Sequence, residues 1–137
     1  MVQPDTGLFM DVSESVRGPT NDHTLVRQSG VRGRLPSGTV LGGDLGYVGA
    51  VKEPGDMEVA TPRRKPRDKE RPAEERAYNQ AFARVRVKVE HTIGRARHYQ
   101  ALSQQDRHHR ELVTERGQAI AGLVNRQITT RLPYLFR

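Results

Sequence analysis

The stretch Gly38-Thr39-Val40-Leu41, running into Gly42-Gly43-Asp44-Leu45-Gly46-Tyr47-Val48-Gly49, constrains the fold more than any other part of the chain. Val40 and Leu41 have the β-branched and apolar character of a buried strand, and the glycines that follow punctuate its end and permit tight backbone geometry. A carboxylate at the carboxyl end of such a strand lies where open α/β sheets form their ligand crevice. Asp44 is therefore a candidate for chemistry. The plainer alternative is a Gly/Asp turn between two strands, since both residues are ordinary turn formers. A second carboxylate far downstream, Glu90 within Arg86-Val87-Lys88-Val89-Glu90-His91-Thr92-Ile93-Gly94-Arg95, gives Asp44 a candidate companion.

Around these two acids the chain divides into a strand-rich part (5–62), a basic loop (63–71) and a helical part (72–131) of one domain, 137 residues being too few for two. Asp5-Thr6-Gly7 is a turn signal, and Leu8 to Val16 alternates as a strand should. Only Met1 to Pro4 precede that turn, so the hairpin's other strand is expected to lie upstream of Met1. Gly18 to Asp22 supplies an N-cap for a short helix over His23–Ser29, ended by Gly30. Lys52 to Asp56 reads as a connector, and Met57 to Thr61 as a short strand stopped by Pro62.

Arg63 to Arg71 contains no apolar residue and so has no core to join. It reads as a mobile basic loop, either a solvated linker or a DNA contact made through Arg63, Arg64 and Lys65. Pro72-Ala73-Glu74-Glu75 then opens a helix in the favoured way, with acids near the positive end of its dipole. The helix should run to about Leu102. Tyr78, Phe82 or Ala81, Val85, Val89, Ile93 and Ala96 recur at helical spacing as its buried stripe, and Asn79, Arg86, Glu90, Gly94 and Arg97 form an adjoining stripe. A last helix from Arg110 or Glu111 to about Arg131 offers Leu112, Ile120, Leu123, Val124 and Ile128 for packing.

Composition narrows the function classes. Lys+Arg 23 against Asp+Glu 16 gives a net charge of +7, carried mostly by arginine. Guanidinium groups bind phosphate bidentately, which makes nucleic acid the default partner, unless the arginine content merely reflects genome composition. There is no cysteine, hence neither a disulfide framework nor a thiolate zinc site. No run approaches a membrane span and the N-terminus lacks the pattern of a signal peptide, so a cytoplasmic protein with no membrane partner is expected. Nucleotide-binding glycine motifs and a serine-hydrolase elbow are absent. His91, His98, His108 and His109 have no spacing that completes a metal set.

Two carboxylates on separate elements, each beside positive charge, suit a centre that holds divalent metal and phosphate, because hard cations such as Mg²⁺ take oxygen ligands. For Glu90 the competing reading is a helix-surface residue paired with Arg86 one turn earlier.

The ordered set Gly18-Pro19-Thr20-Asn21-Asp22-His23-Thr24-Leu25-Val26-Arg27-Gln28-Ser29, Gly43-Asp44-Leu45-Gly46-Tyr47-Val48-Gly49, Thr61-Pro62-Arg63-Arg64-Lys65-Pro66-Arg67, Asn79, Arg84 to Arg95 and Ala119-Ile120-Ala121-Gly122-Leu123-Val124-Asn125 resembles the carboxy-terminal half of a DDE-superfamily transposase. More narrowly, it is similar to the bacterial insertion-sequence transposases related to Harbinger-type elements. The resemblance covers about Asp5 to Asn125. It implies an α/β, RNase H-like fold, a mixed sheet with flanking and long carboxy-terminal helices, whose three acids hold two Mg²⁺ or Mn²⁺ ions for DNA strand cleavage and transfer. Asp44 matches the family's second acid and Glu90 its third. Arg86 and Arg97, on the stripe of Glu90, become expected DNA or phosphate contacts.

The resemblance also carries a departure. The family's first catalytic aspartate lies on the first strand, upstream of the Asp5-Thr6-Gly7 turn, and neither Asp5 nor Asp11 occupies its place. With the first strands missing, an order 3-2-1-4-5 leaves the Leu8–Val16 strand without a neighbour, and exposed edges favour aggregation. The expectation is a partial catalytic domain, bacterial and nucleoid-associated, inactive alone and completed by an upstream half or a homo-oligomer. The rival is a non-catalytic basic nucleic-acid-binding protein.

Overall fold

A computed structural model describes residues 1–16, 18–47, 58–67, 70–103 and 110–132. The expected connector Lys52–Asp56 and the pair His108-His109 lie outside the described residues. The elements in order are α1 (Asp22–Gln28), α2 (Val31–Arg34), β1 (Val40–Gly42), a 3₁₀ turn (Leu45–Tyr47), β2 (Glu58–Ala60), α3 (Ala73–Arg97), α4 (Gln100–Ser103) and α5 (Arg110–Arg131). They form two compact units, one of residues 16–82 and one of residues 1–15 with 83–137. The chain is mixed α/β.

In the unit of residues 16–82, the helix expected at 23–29 begins one residue earlier. Asn21 is extended and its Oδ1 accepts the Thr24 N–H at 2.8 Å, which caps α1. Gly30, at φ 63°, turns the chain directly into the single-turn α2, which the sequence does not announce. Val26 and Val31 are buried. β1 and β2 pair in parallel, Val40 against Glu58, Leu41 against Val59 and Gly42 against Ala60, and the Gly43 N–H extends the ladder to Ala60 O at 2.9 Å. β1 is not the buried strand expected at Val40-Leu41: Val40 is exposed and Leu41 half-buried, whereas Val59 on β2 is buried.

The first turns of α3 seal this small sheet. Tyr78 and Phe82 stack with ring centroids 6.1 Å apart, and the Phe82 ring lies over Gly42, whose Cβ position would be 3.7 Å from it. The Tyr78 hydroxyl donates to Thr61 O at 3.2 Å. Asn79 closes the segment after β2 by accepting the Arg63 N–H at 2.9 Å and donating to Arg63 O at 3.0 Å.

In the other unit the strand expected over Leu8–Val16 does not form. Val2 and Phe9 make one antiparallel bridge, and Gln3 N–H to Leu8 O and Met10 N–H to Met1 O complete a two-rung hairpin about the Asp5–Gly7 turn. The alternation does mark extended chain, but the partners of that chain are helices. Asn125 on α5 accepts the Phe9 N–H at 2.7 Å and donates to Phe9 O at 2.9 Å. The buried Thr92 on α3 donates its hydroxyl to Gly7 O at 3.0 Å, and Thr114 accepts the Ser15 N–H at 2.8 Å.

The core here is Ala96, Ile120, Val124 and Ile128, with Leu8, Phe9, Tyr99 and Leu132 packed on it. The one-turn spacing of Ile120, Val124 and Ile128 explains why those three are in. Leu123 falls off that line and is 50% exposed; Leu112, two four-residue steps before Ile120, has drifted about 80° round the helix from it and is 41% exposed, and Val85, expected on the buried stripe of α3, is 44% exposed. α3 stops at Arg97 instead of Leu102: His98 and Tyr99 tighten into i−3 bonds to Arg95 O and Ala96 O, and Tyr99 turns its ring to the core while its hydroxyl accepts from Gln127 at 3.0 Å.

These contacts rank three substitutions. Thermal unfolding should show Ile128→Ala destabilised by about 2–5 kcal/mol and Asn125→Ala by about 1–3 kcal/mol, because both backbone groups of Phe9 lose their partner. Leu123→Ala should change stability by less than about 0.5 kcal/mol. Equal losses at positions 123 and 128 would contradict this packing.

Candidate active site

Asp44 lies two residues past the end of β1, on the carboxyl side of a parallel pair, as the sequence suggested. Its placement is fixed locally. Oδ1 accepts the Gly46 N–H at 2.8 Å and the Asp44 carbonyl accepts the Tyr47 N–H at 3.1 Å, so Asp44 caps the 3₁₀ turn that follows it. The framing glycines have distinct reasons. A Cβ at Gly43 would sit 2.6 Å from Tyr47 Cγ, inside the ring that folds back over it. A Cβ at Gly46 would sit 2.9 Å from Asp22 Oδ2 and 3.0 Å from Asp44 Oδ1.

The Gly46 position also identifies a neighbour that the sequence marks only as a cap candidate. Because Asn21 takes the capping role, Asp22 in the first turn of α1 is left to turn its carboxylate towards Gly46, on the side of Asp44. The signal is the doubled Asn21-Asp22 at a helix start, where one side chain suffices for the cap. Burial, followed by the charges of Asp22 and then Asp44, pushes the Tyr47 phenol above its ordinary value. Asp44 and Asp22 themselves are exposed.

Glu90 lies on α3 in the other unit and is exposed. Its Oε1 accepts from Arg86 Nη2 at 2.6 Å, the one-turn ion pair that is the competing reading of this residue. Asn79, placed by periodicity on the stripe of Glu90, is committed to the Arg63 backbone instead. Arg63 is itself tied down, its guanidinium 5.1 Å from the Tyr78 ring centroid. Arg64, Lys65 and Arg97 are exposed.

The donor chemistry suits a hard cation. Asp44 and Glu90 each accept one hydrogen bond through a single oxygen, which leaves the other oxygen of each open to an ion among the described residues. Among the described residues no three His, Asp or Glu side chains gather into a set that holds a metal on its own. No described helix is long and apolar enough to cross a membrane.

A family model described as DDE superfamily endonuclease matches residues 1–125. The chain belongs to the DDE superfamily endonucleases, a class of transposase-like domains. No curated protein and no solved structure matches it.

The Tyr47 environment yields a pH prediction. A phenol held above its ordinary value of about 10 stabilises the fold while protonated; that contribution is complete below the unfolded value and is lost as pH rises through the folded one. In an absorbance titration, Tyr47 should therefore ionise after an ordinary tyrosine, and Asp22→Asn should bring its titration down. An unchanged Tyr47 titration in that variant would remove Asp22 from the site.

Proposed function

We propose that this chain supplies the second and third acids of a DNA-cleaving and strand-transferring centre, with the carboxylates of Asp44 and Glu90 as ligands of Mg²⁺ or Mn²⁺. The observation that carries the reading is the fixed position of Asp44 past the end of a parallel strand, with one carboxylate oxygen held by the Gly46 N–H and the other open among the described residues, in a chain of the DDE superfamily endonucleases. When bound, a pair of such ions stabilises both the attacking and the leaving oxygen of a phosphodiester displacement.

The residues of the chain do the remaining work. The Gly46 N–H and the turn around Gly43 hold the Asp44 carboxylate in one orientation, so little rotamer freedom is lost when it takes up a ligand. Arg86 pairs with Glu90 in the absence of a ligand, and its guanidinium is a donor for a phosphate once Glu90 turns to an ion. Arg97, and Arg64 and Lys65 in the basic loop, add positive potential for the DNA backbone. The family's set has three acids, and two of them are assigned here, so these 137 residues by themselves should not cleave DNA. An upstream transposase half, or a second copy in a homo-oligomer, would complete the set, and the insertion-sequence and Harbinger-type relationship is the setting in which this is expected.

The Arg86–Glu90 ion pair favours one second reading, a basic nucleic-acid-binding protein in which Glu90 only pairs with its neighbour. Calorimetric titration with Mn²⁺ separates the two. Saturable binding that is reduced at least tenfold in both Asp44→Ala and Glu90→Ala, with helix content unchanged by circular dichroism, is the expected result. Binding that survives in both variants, or no saturable binding by the folded chain, would contradict the metal-centre reading.

A further inference from the structure

From Ala83 to the end of α3 the helix carries five cations, Arg84, Arg86, Lys88, Arg95 and Arg97, against one acid, Glu90, and that acid is engaged by Arg86. Arg84, Lys88, His91 and Arg95 follow one another at steps of four, three and four residues, which places them within an arc of about 60°. All four are exposed, and none has an ion pair or hydrogen-bonding side-chain partner among the described residues. The buried Thr92 and Ala96 lie about 90° round the helix from this stripe, and Arg86 with Glu90 about 150° from it. The stripe is thus neither the packing face nor the face of the candidate metal ligand.

Arg84 and Lys88 put like charges one turn apart, which opposes helix formation, so an isolated helix gains nothing from this arrangement. It gains when a polyanion lies along it. From Arg84 to Arg95 the stripe runs about 16 Å, the axial rise of about five base pairs of duplex. We propose that this stripe is a second DNA surface, one that tracks the phosphate backbone of double-stranded DNA away from the reacting phosphodiester and independently of sequence. Flexible ammonium and guanidinium heads on a helix exterior position a duplex through its phosphates and read no bases. The proposal rests on the reading of the chain as DNA-acting, and it deepens that reading by separating holding DNA from cutting it.

The experiment is a salt titration of duplex binding by the full chain, with a short double-stranded oligonucleotide of arbitrary sequence. Removing one cation that neutralises a phosphate reduces the slope of log K against log salt by about 0.9. Arg84→Gln/Lys88→Gln/Arg95→Gln should lower the slope by about 2 to 3 and weaken low-salt binding at least tenfold, while Arg126→Gln, at an exposed cation on α5 away from the stripe, leaves the slope within about 0.5. Gln is a good helix former, and circular dichroism checks that α3 survives; Lys88→Gln alone should lower the slope by about 1 and serves if the triple variant unfolds. A slope unchanged in these variants, or a stripe that responds to anionic lipid vesicles and not to the duplex, overturns the proposal. Mn²⁺ binding measured without DNA tests the carboxylates separately, so failure of one reading is distinguishable from failure of the other.

Discussion

Two asparagine side chains, one in each unit, do what neighbouring strands would otherwise do. Asn125 satisfies both the N–H and the C=O of Phe9, and Asn79 satisfies both those of Arg63. A carboxamide carries a donor and an acceptor side by side, which matches the spacing of the two backbone groups of an extended residue. Among the described residues the sheet has two strands, β1 and β2, and the extended segments around Phe9 and Arg63 lie outside it. Helices give these extended segments backbone partners through their side chains, at part-buried Phe9 and at exposed Arg63 alike. Thr92 on Gly7, Tyr78 on Thr61 and Thr114 on Ser15 repeat the device.

The same economy places the chemistry. Asn79, Tyr78 and Phe82 hold the chain after β2 and the end of β1, and Asp44 follows at that end on a turn locked by its own side chain. Further along α3, Thr92 and Ala96 face the core of the other unit while Glu90 stays exposed with Arg86. One helix therefore serves as anchor in one unit and as carrier of a candidate ligand in the other. Its exposed arcs are free to be charged, and the bias to arginine and lysine there is strong.

Legibility in the sequence followed the locality of the determinants. α1, β1, β2, the start of α3 and the whole of α5 were readable, because caps, β-branched runs and helical periodicity are local signals. Leu8–Val16 was not: alternation reports an extended segment, but whether it pairs with a strand or with helix side chains depends on residues about a hundred positions away. Val85 and Leu123 show the same limit, since periodicity gives a stripe and not its edges. The helix stop at Arg97 depends on Tyr99 meeting the core, which no capping residue announces. At the site, Asp44 and the Arg86–Glu90 pair were visible in spacing, whereas Asp22 came to light only when Asn21 was seen to hold the cap.

The metal-binding proposal stands first on Asp44, whose carboxylate is fixed past the end of β1 with one oxygen held by the Gly46 N–H. Paramagnetic broadening by Mn²⁺ of the assigned amide resonances tests it directly. Substoichiometric Mn²⁺ should broaden the amides of Leu45 to Tyr47, and Asp44→Ala should abolish that effect. No broadening there, or broadening that persists in Asp44→Ala, would contradict the proposal.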